Sequence, residues 1–230
     1  MPINALLRGF RNFHDSYFEP KRSMFEDLVE HGQHPKVCVV ACADSRVTPA
    51  IILKCEPGQI FEVRNVANIV PPKSAAEAAH STASAIQYAV TVLKVEHILV
   101  LGHAQCGGIR ALVDHMDEQE GAMEHVAAWI RLMSPARERV EKRLPKADAD
   151  ERSVACEQEG VLVSLENLMT YDFVSEAVES GHLSLHGWYL DIGKGALFRY
   201  DPRTKAFEDI GEEPKLGAVR PNEVSRGEGI

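Results

Sequence analysis

The spacing of apolar and polar positions changes period several times along the chain, and each change marks an element. From Pro2 to Tyr17, the residues Leu6, Phe10, Phe13 and Tyr17 recur at helical spacing near one face. Pro20 to His31 reads as a second helix, with Phe25, Leu28 and Val29 inward and Gly32 just past its end. The period then shortens. Lys36 to Ala41 is a β-branched run, the pattern of a strand covered on both faces in a parallel sheet. Ile60 to Arg64 alternates as a second strand after the Pro57-Gly58 turn. Ser74 to Lys94 predicts a long helix, with Ser74 and Glu77 as its capping box and Ile86, Ala89, Val90 and Leu93 as its apolar stripe. His97 to Leu101 is a third strand ending at Gly102, and Gly107-Gly108 opens a helix through Ile109, Leu112 and Val113. Charged helices follow around His125 to Arg143 and Val154 to Ser180. Leu183 to Ile192 and Ala196 to Tyr200 predict a hairpin of edge strands, with Gly193 and Gly195 in the turn.

Strands alternating with helices imply crossovers between parallel strands. The expected fold is α/β: a mostly parallel central sheet flanked by helices, with an N-terminal helical arm. We expect a single domain, with residues 1–35 as the arm, 36–202 as the α/β body and 203–230 as a polar tail.

The 230 residues suffice for a core without disulfides, and 45% hydrophobic with 26% charged residues argues against a disordered or fibrous chain. The 34 acidic residues outnumber the 25 Lys and Arg, giving a net charge of -9. Such a surface opposes phosphate backbones, so no nucleic-acid partner is expected. The longest apolar runs are too short to cross a bilayer, and Met1 to Phe10 lacks the pattern of a secretory signal. No membrane partner is expected, and a cytoplasmic location is the default. Five cysteines without an export signal suggest free thiols or metal ligands rather than a disulfide framework.

Parallel sheets gather functional groups at the carboxyl ends of their strands. The first strand runs into Cys42-Ala43-Asp44-Ser45-Arg46, and the third into Gly102-His103-Ala104-Gln105-Cys106-Gly107-Gly108. If these strands are neighbours, Cys42, His103 and Cys106 converge. Two thiolates and an imidazole make a soft tetrahedral zinc site with one position left for water, the pattern of a catalytic rather than a structural site. Zinc lowers the pKa of such a water to about 7. Taken singly, Cys42 reads as a small buried hydrophobe, His103 as a loop histidine and Asp44 with Arg46 as a turn ion pair. Cys38, Cys55 and Cys156 have no comparable polar company and read as packing residues. Beside a metal thiolate, Arg46 would hold Asp44 ionised, off the metal and aimed at the water proton. Gly107 and Gly108 would let backbone N–H groups approach developing negative charge, or simply make a tight turn.

Four motifs together carry a resemblance: Cys-Ala-Asp-Ser-Arg-Val at 42–47, Glu-Pro-Gly at 56–58, Arg-Asn-Val-Ala-Asn at 64–68 and Gly-His-Ala-Gln-Cys-Gly-Gly at 102–108. The chain resembles the β-class carbonic anhydrases, closely from Gln33 to Leu112 and more loosely around Trp188. The resemblance implies one zinc per chain on Cys42, His103 and Cys106, and Asp44 with Arg46 as the catalytic dyad. It implies reversible hydration of carbon dioxide to bicarbonate and a proton. It implies a narrow apolar cleft at a subunit interface, with Gln33 as amide donor and Phe61, Val66 and Tyr88 as lining; without the resemblance these last three read as core packing. Carbon dioxide has no net dipole, so an apolar slot with one or two donors, Gly107 N–H among them, suffices. The N-terminal helices would drape over a partner in a homodimer or dimer-based tetramer.

One subtype of the family has a closed state in which the dyad aspartate binds zinc. It carries Trp, Gly and Tyr where this chain has Val39, Ala41 and Leu190, and Asn68 to Pro72 looks like the plant-type branch. An open site is therefore expected at neutral pH, with Asp44 on zinc only in a closed state. The alternatives are a related zinc hydrolase acting on carbon disulfide or carbonyl sulfide, a non-catalytic zinc-thiolate sensor with a fourth protein ligand, and a metal-free structural protein.

Overall fold

The computed structural model describes residues 2–76, 80–118 and 123–211. Two helices lead, α1 (Ile3–Phe13) and α2 (Arg22–His31), joined by a widened helical turn at His14–Phe18 and a tight one at Glu19–Lys21. The body follows as β1 (Val37–Cys42), α3 (Pro49–Ile52), β2 (Ile60–Asn65), α4 (Ser81–Thr91), β3 (His97–His103) and α5 (Gly107–Val113). Next come α6 (Glu124–Ile130), α7 (Ser134–Arg143), α8 (Ala149–Leu168) and α9 (Asp172–Glu179). The chain then returns to the sheet as β4 (Ser184–Asp191), β5 (Ala196–Asp201) and β6 (Ala206–Asp209). No described helix is long and apolar enough to cross a membrane.

The six strands lie in the order β2-β1-β3-β4-β5-β6. The first four in that order run parallel, and β5 and β6 are antiparallel additions. Strand geometry sends alternate residues to opposite faces. Cys38 and Val40 of β1 join Ile98 and Val100 of β3 under α4, α8 and α9. Val39 and Ala41 join Leu99, Leu101 and Leu190 on the other face, beneath Val47. Both faces of β1 are thus covered, which is why its sequence is apolar without interruption. A further cluster packs Cys42, Cys106 and Cys156 with Ile109, Leu112 and Met133 around the strand ends.

Several expectations need correction. The helix foreseen from Ser74 begins at Ser81. Ser74 lies in a separate tight turn after Pro71-Pro72, tethered by Lys73 N–H donating to Thr170 Oγ1 at 2.9 Å. Glu77 lies outside the described residues. A complete capping box sits instead on α8, where the Asp148 carboxylate accepts from the backbone N–H of Asp150 and Glu151. Val29 is not inward; it is 87% exposed, because the inner face of α2 is set by Phe25 and Leu28. The hairpin β4–β5 is not at the edge: β4 pairs with β3, and β6 adds outside β5. The start of the expected tail is therefore sheet, held by Phe207 against Tyr189 and Tyr200. Residues 212–230 lie outside the described set.

Candidate metal centre

Parallel pairing sets Ala41 opposite Leu101, so β1 and β3 end side by side. Cys42 closes one strand and His103 the other. Cys106 follows after one turn, in which Gln105 takes a left-handed conformation at φ 58°. Together these place one ligand atom each of Cys42, His103 and Cys106 within 4.8 Å of one another, all three residues buried.

The donor set fits zinc. The His103 ring presents Nδ1 to the Ala104 carbonyl at 2.8 Å. A carbonyl only accepts, so Nδ1 carries the proton and Nε2 has the free lone pair. That Nε2 is buried and has no hydrogen-bond partner, a costly state that a metal ion would relieve. Cys42 Sγ receives two backbone N–H groups, from Asp44 at 3.4 Å and Ala67 at 3.3 Å. Without metal, the neighbouring Cys106 thiol, then the nearby His103 and these two amides, pull the Cys42 thiol down to about 4 against the effect of burial. Cys106 is pushed up by the same contact with Cys42 and by burial. The surroundings of Cys42 thus favour the thiolate, which is the state a metal binds. Burial opposes protonation of His103, but the Cys42 contact and the Ala104 carbonyl hold it above its usual pKa.

Asp44 is not a member of this cluster. Arg46 takes its carboxylate in a fork, with Nε on Oδ1 at 3.0 Å and Nη2 on Oδ2 at 2.7 Å, and the Arg46 backbone N–H adds to Oδ1 at 2.9 Å. Hydrogen bonding to Arg46 holds the Asp44 carboxyl well below the usual carboxylate range. Arg46 also reaches across to the second loop, Nη2 donating to the Gln105 carbonyl at 2.9 Å. The dyad therefore ties the two ligand loops together.

Other supports had no clear signal in the sequence. Arg64 donates to the carbonyls of Cys42, Asp44 and Val47 at 3.0, 2.8 and 2.9 Å, holding the whole first loop. Arg64 heads the Arg-Asn-Val-Ala-Asn motif, but its place in an alternating strand does not show that it holds this loop. Glu157, 3% exposed, accepts from the Cys106 backbone N–H at 3.0 Å and the Tyr189 hydroxyl at 2.7 Å. A helix segment full of charges hides which carboxylate turns inward. Burial, the largest influence, pushes the Glu157 carboxyl up.

The expected cleft residues divide into two groups. Val66 stands directly before Ala67 at the metal-side end of β2. Gly108 is constrained, since a Cβ there would lie 2.8 Å from Val66 Cγ1, whereas Gly107 faces open space. Phe61, Tyr88 and Gln33 are elsewhere in the chain. Phe61 pairs with Cys38, four residues before the end of β1, about 13 Å away along the strand. The Tyr88 ring stands 6.0 Å from that of Phe61, and Gln33 lines a groove with Phe13, Tyr17 and Phe61 beside the open edge at β2. One chain does not bring these three to its own Cys42.

Comparison with known proteins gives a consistent result. The family model described as carbonic anhydrase matches residues 37–197. A protein named beta carbonic anhydrase 3 from Arabidopsis thaliana is 38% identical over 197 residues, 85% of this chain and 75% of that protein. The solved β-carbonic anhydrase CcaA superimposes with a TM-score of 0.83 at 32% identity, covering 90% of this chain and 98% of that one. A structure from Sordaria macrospora, described as one of two tetrameric β-carbonic anhydrases, gives 0.65 at 28% identity over 90% of this chain and 93% of that one.

Proposed function

This chain belongs to the β-class carbonic anhydrases, and from that premise we propose how its own residues carry the reversible hydration of carbon dioxide to bicarbonate and a proton. One observation carries the reading: the buried cluster of Cys42, His103 and Cys106, three donors with no fourth among the described residues. Zinc held by the two sulfurs and His103 Nε2 supplies a Lewis acid that makes water nucleophilic at neutral pH.

Asp44 orients that nucleophile. Arg46 places two donors on Oδ1 and one on Oδ2, so Oδ2 keeps the more open acceptor position and takes the hydrogen bond from the attacking water. The nucleophile's lone pair is then directed at the carbon of the substrate. Arg46 keeps the carboxylate ionised and out of the metal's coordination, which is the open state expected for a chain with Val39, Ala41 and Leu190. Val66 forms the apolar wall beside Cys42, and the Gly107 N–H at the start of α5 meets the negative oxygen of the product.

The remaining wall comes from a second copy. Gln33, Phe61 and Tyr88 sit together at the β2 edge and complete a cleft across a homodimer, with Gln33 donating its amide to the partner's bicarbonate. The tetrameric relative from Sordaria macrospora supports self-association. A cytoplasmic location fits this reading. A non-catalytic sensor would need a fourth ligand, which the cluster lacks. Rates measured side by side with carbon dioxide, carbon disulfide and carbonyl sulfide test the substrate. Hydration of carbon dioxide is expected to dominate; its absence with turnover of the sulfur substrates would overturn the assignment.

A further inference from the structure

The peptide group between Val66 and Ala67 has both of its polar ends in use. Its N–H, on Ala67, donates to Cys42 Sγ at 3.3 Å. Its carbonyl, on Val66, accepts from the indole Nε1–H of Trp129 at 2.8 Å. A peptide group is planar and rigid, so the two ends cannot turn independently. Rotation that lifts the carbonyl off Trp129 swings the N–H off the sulfur.

The local backbone makes that hold necessary. Ala67 and Asn68 both sit at positive φ, 63° and 47°, a conformation that residues with a Cβ rarely take and that persists only where surroundings enforce it. Gly108 packs against the same peptide from the second ligand loop, where any side chain would strike Val66 Cγ1 and Ala67 Cβ. Trp129 is itself fixed by its place on α6 and by the His80 ring, stacked at 5.6 Å and 19°. Accepting a hydrogen bond at the carbonyl also polarises the amide and strengthens its N–H as a donor.

We propose that Trp129 is a positioning residue of the metal centre, its indole N–H holding the Val66–Ala67 peptide so that the Ala67 N–H stays on the Cys42 sulfur. This rests on the reading of Cys42 as a metal ligand. Outer partners of this kind tune ligand strength and commonly change metal affinity about 10- to 100-fold when lost. The same peptide carries the Val66 wall, so its release also slackens the cleft.

The decisive variant is Trp129→Phe, which keeps an aromatic ring against His80 but removes the indole N–H together with the second ring. Cobalt(II) is loaded in place of zinc, and the thiolate-to-metal charge-transfer band is recorded. Zinc release to a chelator is timed on zinc-loaded protein. Trp129→Phe is expected to shift the band and to speed zinc release about tenfold, while His80→Ala, which loosens the stacking but leaves the N–H in place, has a clearly smaller effect on both. A wild-type band and release rate in Trp129→Phe, or equal effects in His80→Ala, would overturn the proposal. If Trp129→Phe does not fold, ¹⁵N-labelled wild-type protein decides. The Trp129 indole resonance is expected to move on zinc removal, and an unmoved resonance refutes the link. Zinc content and carbon dioxide hydration of the wild-type sample are measured alongside. A wild type that neither binds zinc nor turns over fails the reading of the site, whereas an active wild type with an unaltered Trp129→Phe fails this inference alone.

Discussion

Asp44 and Cys106 sit within a few residues of the same centre and are expected to fail in different ways. Cys106→Ala removes a donor from a three-member set and should lose zinc and turnover together. Asp44→Asn leaves the set intact, but an amide cannot accept the Arg46 fork on both atoms, so the nucleophile loses its orientation. Zinc content should stay near one per chain while kcat/KM falls about 100-fold or more. Metal analysis and stopped-flow hydration on the same samples check this; an Asp44→Asn enzyme as fast as wild type removes the orienting role. The chemistry at this scale was legible because reactive side chains crowd two short turns. The residues that set their geometry were not. Glu157 is one of several carboxylates on α8, and only packing decides that it faces Cys106 N–H and Tyr189. Ala67 contributes through its backbone, to which residue type is nearly silent.

At the scale of elements, the sheet was readable wherever burial imposed a pattern. The uninterrupted apolar run of β1 correctly implied two covered faces, whereas Gly102 does not end β3, which pairs with β4 through His103. What pattern could not show was pairing. The β4–β5 hairpin looked peripheral in the sequence, yet β4 pairs with β3 from Ser184 to Leu190. The break before α4 was missed because a capping signature at Ser74 competed with the Pro71-Pro72 constraint and the tether to Thr170. The β3–β4 seam also carries a pH response. His186 and His97 meet there with ring nitrogens 3.3 Å apart. Burial first, then the neighbouring His97 and Arg199, lowers the His186 pKa to about 4. The unfolded chain binds that proton near pH 6.5, so it holds more protons than the folded one between about pH 6.5 and 4. Folding stability is therefore complete above 6.5 and falls as the pH drops through that window, by up to about 3 kcal/mol. Urea unfolding of wild type and His186→Gln at pH 7 and pH 4.5 checks the sign. The variant should lose less on acidification, and an equal loss in both would refute the assignment.

For the whole molecule, the lone chain leaves its site half-walled and its first helix unsheltered. On α1, Ile3 is 72% and Phe10 64% exposed, with Leu6 and Leu7 also open to solvent. An apolar face of this kind is expected to be covered. Helical spacing alone does not say which way the face of Leu6 and Phe10 turns, since an inward and an outward stripe have the same period; only the family resemblance implied an arm laid over a partner, while Phe13 and Tyr17 pack against Phe25. Gln33, Phe61 and Tyr88 gather at the neighbouring sheet edge, remote from their own Cys42. Light scattering on the eluting protein should give a dimer or a multiple of it. Phe10→Glu with Leu7→Glu should shift the protein toward monomer, keep its zinc and lose most hydration activity. A monomer as active as the assembly would mean that one chain forms a complete cleft.

Hydration of carbon dioxide by this chain requires a metal ion held by Cys42, His103 and Cys106. Metal-stripped protein is reloaded with increasing zinc, and hydration is followed by stopped flow against the zinc content of each sample. Turnover is predicted to rise from near zero in proportion to zinc and to level at one ion per chain. Fully loaded chains that leave carbon dioxide unhydrated, or stripped chains that hydrate it at the loaded rate, would contradict the account.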